Sequence, residues 1–423
     1  MNITEKIIAH ASNKSTVSPG DVVFANVDKL MIHDVSGPGV IKVFEEWAKR
    51  GVNLEKVWNA HKIWISEDHF VPSADRISAE NITKLTNWAK KFGIKKHFKY
   101  GLGQYGICHT LSHEEALVLP GEFYVGGDSH TNTTGALGAL AVGLGHTDIA
   151  YAMMHGRIWL KVPEAMLFKL VGKKPPHIMA KDIILKIISD IGTDGANYRT
   201  MEFTGDVVTD MSMEERLTLT NMTTEAGAKN GIIAPDAVTD EYIHQRTGSP
   251  YTPISGDDSH YLEEYTYEIE KLEPIVAKPY SPQNAAAARE LQGIEINKAY
   301  IGSCTGAKLE DLRSAAQILK GQKVKIRTEV LPAAQSIYIK ALKEGLIDIF
   351  MEAGAVVGPP TCGACCGAHM GILGKDEICV STTNRNFPGR MGHVESQTYL
   401  ASPLVVAASA IKGKITDPRD VTK

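Results

Sequence analysis

No stretch of this chain holds the ~18 uninterrupted apolar residues that a membrane-spanning helix needs. The nearest approach, residues 135–154, is mostly Gly and Ala and is broken by His146 and Asp148, so it is expected to be a buried helix. An excess of one charge is equally absent. The chain's 45 Lys+Arg stand against 49 Asp+Glu, a net charge of −4, which leaves no polyanion-sized field for nucleic acid or a membrane surface. Short basic runs such as Lys95-Lys96-His97 read as solvated surface. Residues 1–10 mix acid and base inside a helical pattern and lack the apolar core and cleavage site of a secretory signal. Cysteine is sparse, at six residues. Without a secretory signal it points to a reducing compartment, the cytoplasm, where clustered thiols mean metal or redox chemistry rather than disulfides.

What is present is an ordinary globular composition, 43% apolar and 22% charged. At 423 residues the chain exceeds one hydrophobic core and should divide into roughly two to four domains. The boundaries are expected near Lys161-Val-Pro163 and in the Pro-containing stretch 273–281, which reads as a linker. Strand-like runs alternate with helical ones, which implies an α/β fold with parallel sheets. Five of these runs stop at polar clusters: Glu67-Asp68-His69, Asp128-Ser129-His130, Cys304, Cys362 and Asn384-Arg385-Asn386. In parallel sheets ligands sit beyond the carboxyl ends of the strands, and these clusters occupy that position.

The densest chemistry lies in Thr361-Cys362-Gly-Ala-Cys365-Cys366, read with the distant Cys304. Three thiols suit a structural zinc site with a fourth ligand such as His369. They equally suit an iron–sulfur cluster with one iron left open, and spacing alone divides evenly between the two. Gly101-Leu-Gly-Gln-Tyr-Gly106 matches the dinucleotide fingerprint literally, but the polar Lys95 to Tyr100 before it is no buried strand, so it reads as a loop. Asp68-His69 and Asp128/His130 are each either a structural hydrogen-bonded pair or a general acid held in one tautomer by a carboxylate. Ser129 points away from its neighbours in an extended chain, so no hydrolase triad follows. Arg385 and Arg390 lie in a Gly-bearing loop and have the fork that binds carboxylates.

Taken in order, Glu67-Asp-His69, Gly106-Ile-Cys-His109, Gly127-Asp-Ser-His130, Asn221-Met-Thr-Thr-Glu225, Gly302-Ser-Cys304-Thr, Cys362-Gly-Ala-Cys365 and Asn384-Arg-Asn-Phe-Pro-Gly-Arg390 resemble the aconitase family. The nearest likeness is to the large subunit of its two-subunit branch, whose members act on 3-isopropylmalate, homoaconitate, methylmalate or 2,3-dimethylmalate. The resemblance implies three aconitase-like α/β domains, at 1–163, 164–280 and 281–423, around a [4Fe–4S] cluster held by Cys304, Cys362 and Cys365. The mobile fourth domain, with a catalytic serine and another arginine, would come from a separate small subunit, giving a heteromer.

The same resemblance implies a hydro-lyase that dehydrates and rehydrates a substituted malate, with isomerisation of 3-isopropylmalate in leucine biosynthesis as the expected reaction. Asp68, His69, His109, Asp128, His130 and Glu225 would be catalytic, and His33, Ser129, Arg385 and Arg390 would bind substrate. Asn221 and Asn384 would neighbour the cluster. Gly306 stands where the family has asparagine, His33 where aconitases have glutamine, and Cys366 is extra; these departures leave the ligands and acid–base residues in place. A cluster-free RNA-binding regulator is the rival from another class, and the near-neutral charge argues against it.

Overall fold

The computed structural model describes residues 1–257, 260–367 and 369–421. Ala368, inside the cysteine segment, and the last two residues of the expected third domain therefore lie outside the described part. Three main sheets organise the chain. A five-stranded, wholly parallel sheet runs in the order Lys96–Phe98, Ile63–Ser66, Lys29–His33, Phe123–Gly126, Leu140–Gly143. A four-stranded parallel sheet has the order Asn230–Ile233, Thr200–Thr204, Ala165–Val171, Glu263–Glu268. The third has seven strands in the order Ala285–Ala287, Ile275–Ala277, Gln397–Ala401, Ile378–Ser381, Lys298–Ile301, Arg327–Val330, Val356–Val357. Its last five are parallel, and its first three pair antiparallel. Each sheet has its own apolar core, as strands covered by helices require.

Local chemistry starts the helices. Asn2 and Glu5 form a reciprocal cap on Ile3–Ala11, and Asp311 accepts the Lys308 N–H at the start of Leu309–Leu319. Three expectations fail. Residues 135–154 are not one helix but the end of a 3₁₀ segment, Ser129–Leu137, then a strand, Leu140–Gly143, then a helix, His146–His155. The reason lies in the glycines: a Cβ on Gly135 would sit 1.7 Å from the Gly231 carbonyl, and Gly138 closes a turn at φ 76°. The cap of that segment is Asp128, which accepts the His130 N–H. Residues 273–281 are not a bare linker either, since Ile275–Ala277 is a fully buried strand of the seven-stranded sheet. Lys95 and Lys96 are exposed as expected, but His97 turns inward to Glu67, with its Nε2 2.9 Å from Oε1.

Strand order fixes where ligands can sit. In the five-stranded sheet the chain winds outward from Lys29–His33 to Lys96–Phe98, then restarts on the other side at Phe123–Gly126. In the seven-stranded sheet the same reversal falls between Lys298–Ile301 and Ile378–Ser381. Each reversal opens a crevice beyond the strands' carboxyl ends. His33 and Asp128 border the first crevice, and Cys304 and Asn384 the second.

Candidate active site

Asp128 is the hub of the first crevice. Its Oδ1 accepts His109 Nε2–H at 2.9 Å and the His130 backbone N–H at 2.7 Å, and its Oδ2 lies 3.4 Å from His33 Nε2. Burial opposes its charge, but the His109 charge and the hydrogen bonds from His109, His130 and His33 outweigh that and hold the carboxyl well below the usual range. His109 is pushed down instead, because burial outweighs the attraction of Asp128. The pair is therefore a carboxylate beside a neutral imidazole. His130 Nε2 continues outward to Glu225 Oε1 at 2.8 Å, and both oxygens of Glu225 accept from Arg385 Nε at 2.9 and 3.0 Å. Burial raises Glu225, yet His130 and Arg385 prevail and lower it.

His69 stands opposite. Its Nδ1 donates to Asp68 Oδ1 at 2.8 Å, and its ring stacks on His33 with centroids 4.3 Å apart. Asp68 Oδ2 accepts the Cys108 N–H at 2.6 Å, so both carboxylate oxygens are engaged. Burial disfavours the imidazolium, but Cys362, Asp68 and Asp34 around it push His69 well above its ordinary value. Two backbone N–H groups, of Val35 and Ser36, donate to His33 Nδ1 at 3.1 and 3.3 Å. That leaves Nε2 of a neutral His33 as the protonated nitrogen, facing Asp128.

The cysteines occupy the second crevice. Cys304, Cys362 and Cys365 are buried. Asn221 Nδ2 donates to Cys304 Sγ at 3.1 Å, and Asn384 Nδ2 reaches the same sulfur at 3.5 Å while donating to Asn221 Oδ1 at 2.5 Å. Cys365 Sγ donates to Asn384 Oδ1 at 3.5 Å, so one amide touches two of the three thiols. Burial and the neighbouring sulfurs push the Cys304 and Cys362 thiols up, as expected of buried thiols whose proton a metal would displace. Arg390 Nε is buried and has no hydrogen-bond partner among the described residues, beside Cys365 and Cys366. Gly306 is dictated by space: a Cβ there would lie 2.1 Å from Thr382 Cβ.

The two crevices are joined directly, since the Asp68 carbonyl accepts both Cys362 N–H, at 2.9 Å, and Thr361 Oγ1–H, at 2.7 Å. The structure thus brings together His33, Asp68, His69, His109, Asp128, His130, Glu225 and Arg385 in one contact network, with Asn221, Asn384 and the three cysteines against it. Ser129 is exposed, and its carbonyl accepts Thr224 Oγ1–H. His369 turns its Nε2 to the Pro72 carbonyl at 2.5 Å, which removes that nitrogen as a fourth metal ligand.

Two residues escaped the sequence reading. Asp34 is buried and accepts the backbone N–H groups of Asp68, His69 and Phe70, the shortest at 2.7 Å, which shapes the His69 loop. Burial works against its charge, but His69 and His33 hold it ionised far below the normal range. Lys181, also buried, donates to Thr305 Oγ1 and to the Thr382 and Thr383 carbonyls beneath the cysteine loop. Burial drives it down to about 7. The adjacency of Asp34 to His33 was the only sequence signal for the first. The second offered none, since a lysine in a helix is ordinarily solvated.

Known proteins resemble this chain along almost its whole length. The model of the Aconitase family (aconitate hydratase) matches residues 5–292 and 284–413. The 3-isopropylmalate dehydratase large subunit of Aquifex aeolicus (strain VF5) is 49% identical over 431 residues, covering 100% of this chain and 98% of that protein. The 3-isopropylmalate dehydratase large subunit 1 of Pyrococcus furiosus is 48% identical, covering 100% and 99%. Among solved structures, the holo-form of Thermococcus kodakaraensis aconitase X matches 88% of this chain and 89% of its own with a TM-score of 0.51, a likeness of fold alone at 13% identity. With a family model spanning nearly its whole length and relatives near half identity end to end, this chain belongs to the aconitase family.

Proposed function

We propose that this chain is the large subunit of a hydro-lyase that isomerises 3-isopropylmalate and 2-isopropylmalate by dehydration and rehydration. The observation that carries the proposal is the hydrogen bond from Cys362 N–H to the Asp68 carbonyl, which sets the acid–base network against the three thiols. The full-length likeness to 3-isopropylmalate dehydratase large subunits supports the choice of substrate.

Cys304, Cys362 and Cys365 would hold a [4Fe–4S] cluster. The donor set fits: the three thiols are buried, and the amides of Asn221 and Asn384 supply hydrogen-bond partners to Cys304 and Cys365, as a thiolate-held cluster requires of its surroundings. When bound, the cluster supplies a Lewis-acidic iron without a protein ligand. Around it the chain's own groups act. His69, steadied by Asp68 on Nδ1, presents Nε2–H as the general acid for the leaving hydroxyl. Asp128, His109, His130 and Glu225 hold the surrounding protons in fixed positions. Arg390 offers its unpaired Nε to a substrate carboxylate, with Arg385, Ser129 and His33 lining the approach. Asn221 and Asn384 fix the Cys304 sulfur.

A small subunit would complete the site with the fourth domain, its serine taking the carbon-bound proton. Apolar side chains stand exposed on the loops that follow the strands: Val35, Leu102 at 69%, Ile372, Phe387 and Val394 at 61%. Such a rim suits a protein partner. The three sheets are then three domains about one site, near the expected boundaries 1–163, 164–280 and 281–423, with the strand Ile275–Ala277 crossing to the third.

The test is an anaerobic assay of the purified large and small subunits on 3-isopropylmalate, homocitrate and 2,3-dimethylmalate. Turnover of the first is expected, and its absence sinks the assignment.

A further inference from the structure

We infer that Lys181 is a positioning residue for the cysteine site, tying the loop that carries Cys304 to the loop that carries Asn384 and Arg385. The inference rests on the proposed cluster. Lys181 lies in the first turn of the helix Ala180–Ile191, which packs in the core of the four-stranded sheet, and it is 1% exposed. Its Nζ crosses to the seven-stranded sheet and donates to Thr305 Oγ1 at 3.2 Å, Thr382 O at 3.0 Å and Thr383 O at 2.6 Å. An ammonium has three donors, and all three are used.

The acceptors sit where the seven-stranded sheet reverses its order. Thr305 follows Cys304 beyond the strand Lys298–Ile301, and Thr382 and Thr383 precede Asn384 beyond Ile378–Ser381. The ladder between the two strands ends at Tyr300 and Ser381, and beyond it the Thr382 and Thr383 carbonyls take donors from side chains, Lys181 among them. Thr305 Oγ1 also donates to Thr382 O, so the amine closes a small ring across the gap. The next residue, Asp182, accepts the Ile275 N–H at 2.8 Å and fixes the helix start to the same sheet.

Electrostatics gives the contact a second role. Among the described residues no carboxylate is a hydrogen-bond partner of Lys181. The groups that favour its charge are Cys304, Cys365 and Asp311, with Lys308 opposing. Burial opposes that charge, but Nζ is hydrogen-bonded to the residue that follows Cys304 and to the residue that precedes Asn384, and a charged donor so close to a cluster site tunes the cluster's potential and retention.

The experiment uses the two-subunit holoenzyme, reconstituted anaerobically with iron and sulfide, as wild type, Lys181→Met and Lys181→Arg. Iron and sulfide content, the electron paramagnetic resonance signal of the cluster and its rate of loss in air are measured. In Lys181→Met the cluster should be lost at least about tenfold faster, with an altered resonance signal. Lys181→Arg keeps the charge with a different donor geometry, so it should slow the loss relative to Lys181→Met and still alter the signal. If Lys181→Met does not fold, an altered signal in Lys181→Arg supports the inference and a wild-type signal overturns it. Variants that load and lose the cluster as wild type does overturn the inference alone. A wild-type protein that takes up no cluster overturns the proposed function and the inference with it.

Discussion

The backbone of Asp68 holds the backbone of Cys362: the carbonyl of the first accepts the N–H of the second at 2.9 Å. One residue thus fixes the imidazole of His69 through its carboxylate and the cysteine loop through its carbonyl. The acid and the thiols cannot move independently, which is what a reaction at their boundary requires.

Thr361 shares that carbonyl through its hydroxyl at 2.7 Å. Thr361→Val keeps shape and burial but removes this bond, and leaves the Cys362 bond in place. A loss of about 1 kcal/mol is expected, read as a Tm lowered by a few degrees. Catalysis should fall only where the cluster loop loosens, so retained cluster absorbance with lowered Tm is the expected pair of results.

His69→Ala removes the proposed acid without touching a thiol. Turnover should fall by roughly 10²–10⁴-fold while the iron–sulfur absorbance persists. Asp68→Asn should lose turnover as well, because an amide no longer fixes the His69 tautomer, but it also disturbs the Cys108 N–H held at 2.6 Å. His69→Ala is therefore the cleaner measurement, and near-normal turnover in it would reassign the acid.

Much of this arrangement is legible from local pattern. Apolar runs ending at Glu67-Asp68-His69, Asp128 and Cys304 become buried strands with polar residues at their carboxyl ends, because burial and the need for hydrogen-bonded polar groups act on adjacent residues. Illegible features depend on distant partners. Gly135 is barred from a helix by the Gly231 carbonyl, far along the chain. Lys181 is buried because acceptors from the other sheet meet it. The roles of Glu225 and Asn221 were inferred from resemblance, since they arrive from the helix end and 3₁₀ segment before Asn230–Ile233 rather than from a strand's carboxyl end.

The exposed apolar rim yields a test of assembly. Phe387 lies between Asn386, whose amide donates to the Lys278 and Thr398 carbonyls, and the Arg390 turn, so its backbone is held while its ring faces solvent. Phe387→Asp should leave the Tm of the isolated large subunit nearly unchanged, as surface substitutions do. Affinity for the small subunit should fall at least about tenfold if the ring anchors the interface. Calorimetric titration of the two subunits measures this, and unchanged affinity removes Phe387 from the interface.

Glu214 provides a pH-dependent test away from the thiols. It lines a cavity of about 320 Å³ with Glu310 and Asp311, and its Oε2 accepts the Glu310 N–H at 2.8 Å. Burial, then the charge of Glu310, push it up to about 8, with the Glu310 N–H and Lys308 opposing. In the unfolded chain the same carboxyl ionises near 4.5. Between these values the folded state keeps a proton that the unfolded state has released, so stability falls as pH rises from about 5 to 8. Glu214→Gln keeps an acceptor for the Glu310 N–H and cannot ionise. It should match wild type near pH 5 and exceed it by about 1–2 kcal/mol near pH 8, the remainder being screened by solvent at the cavity mouth. Thermal unfolding at the two pH values reads this directly, and an offset that is the same at both would assign the proton to another group.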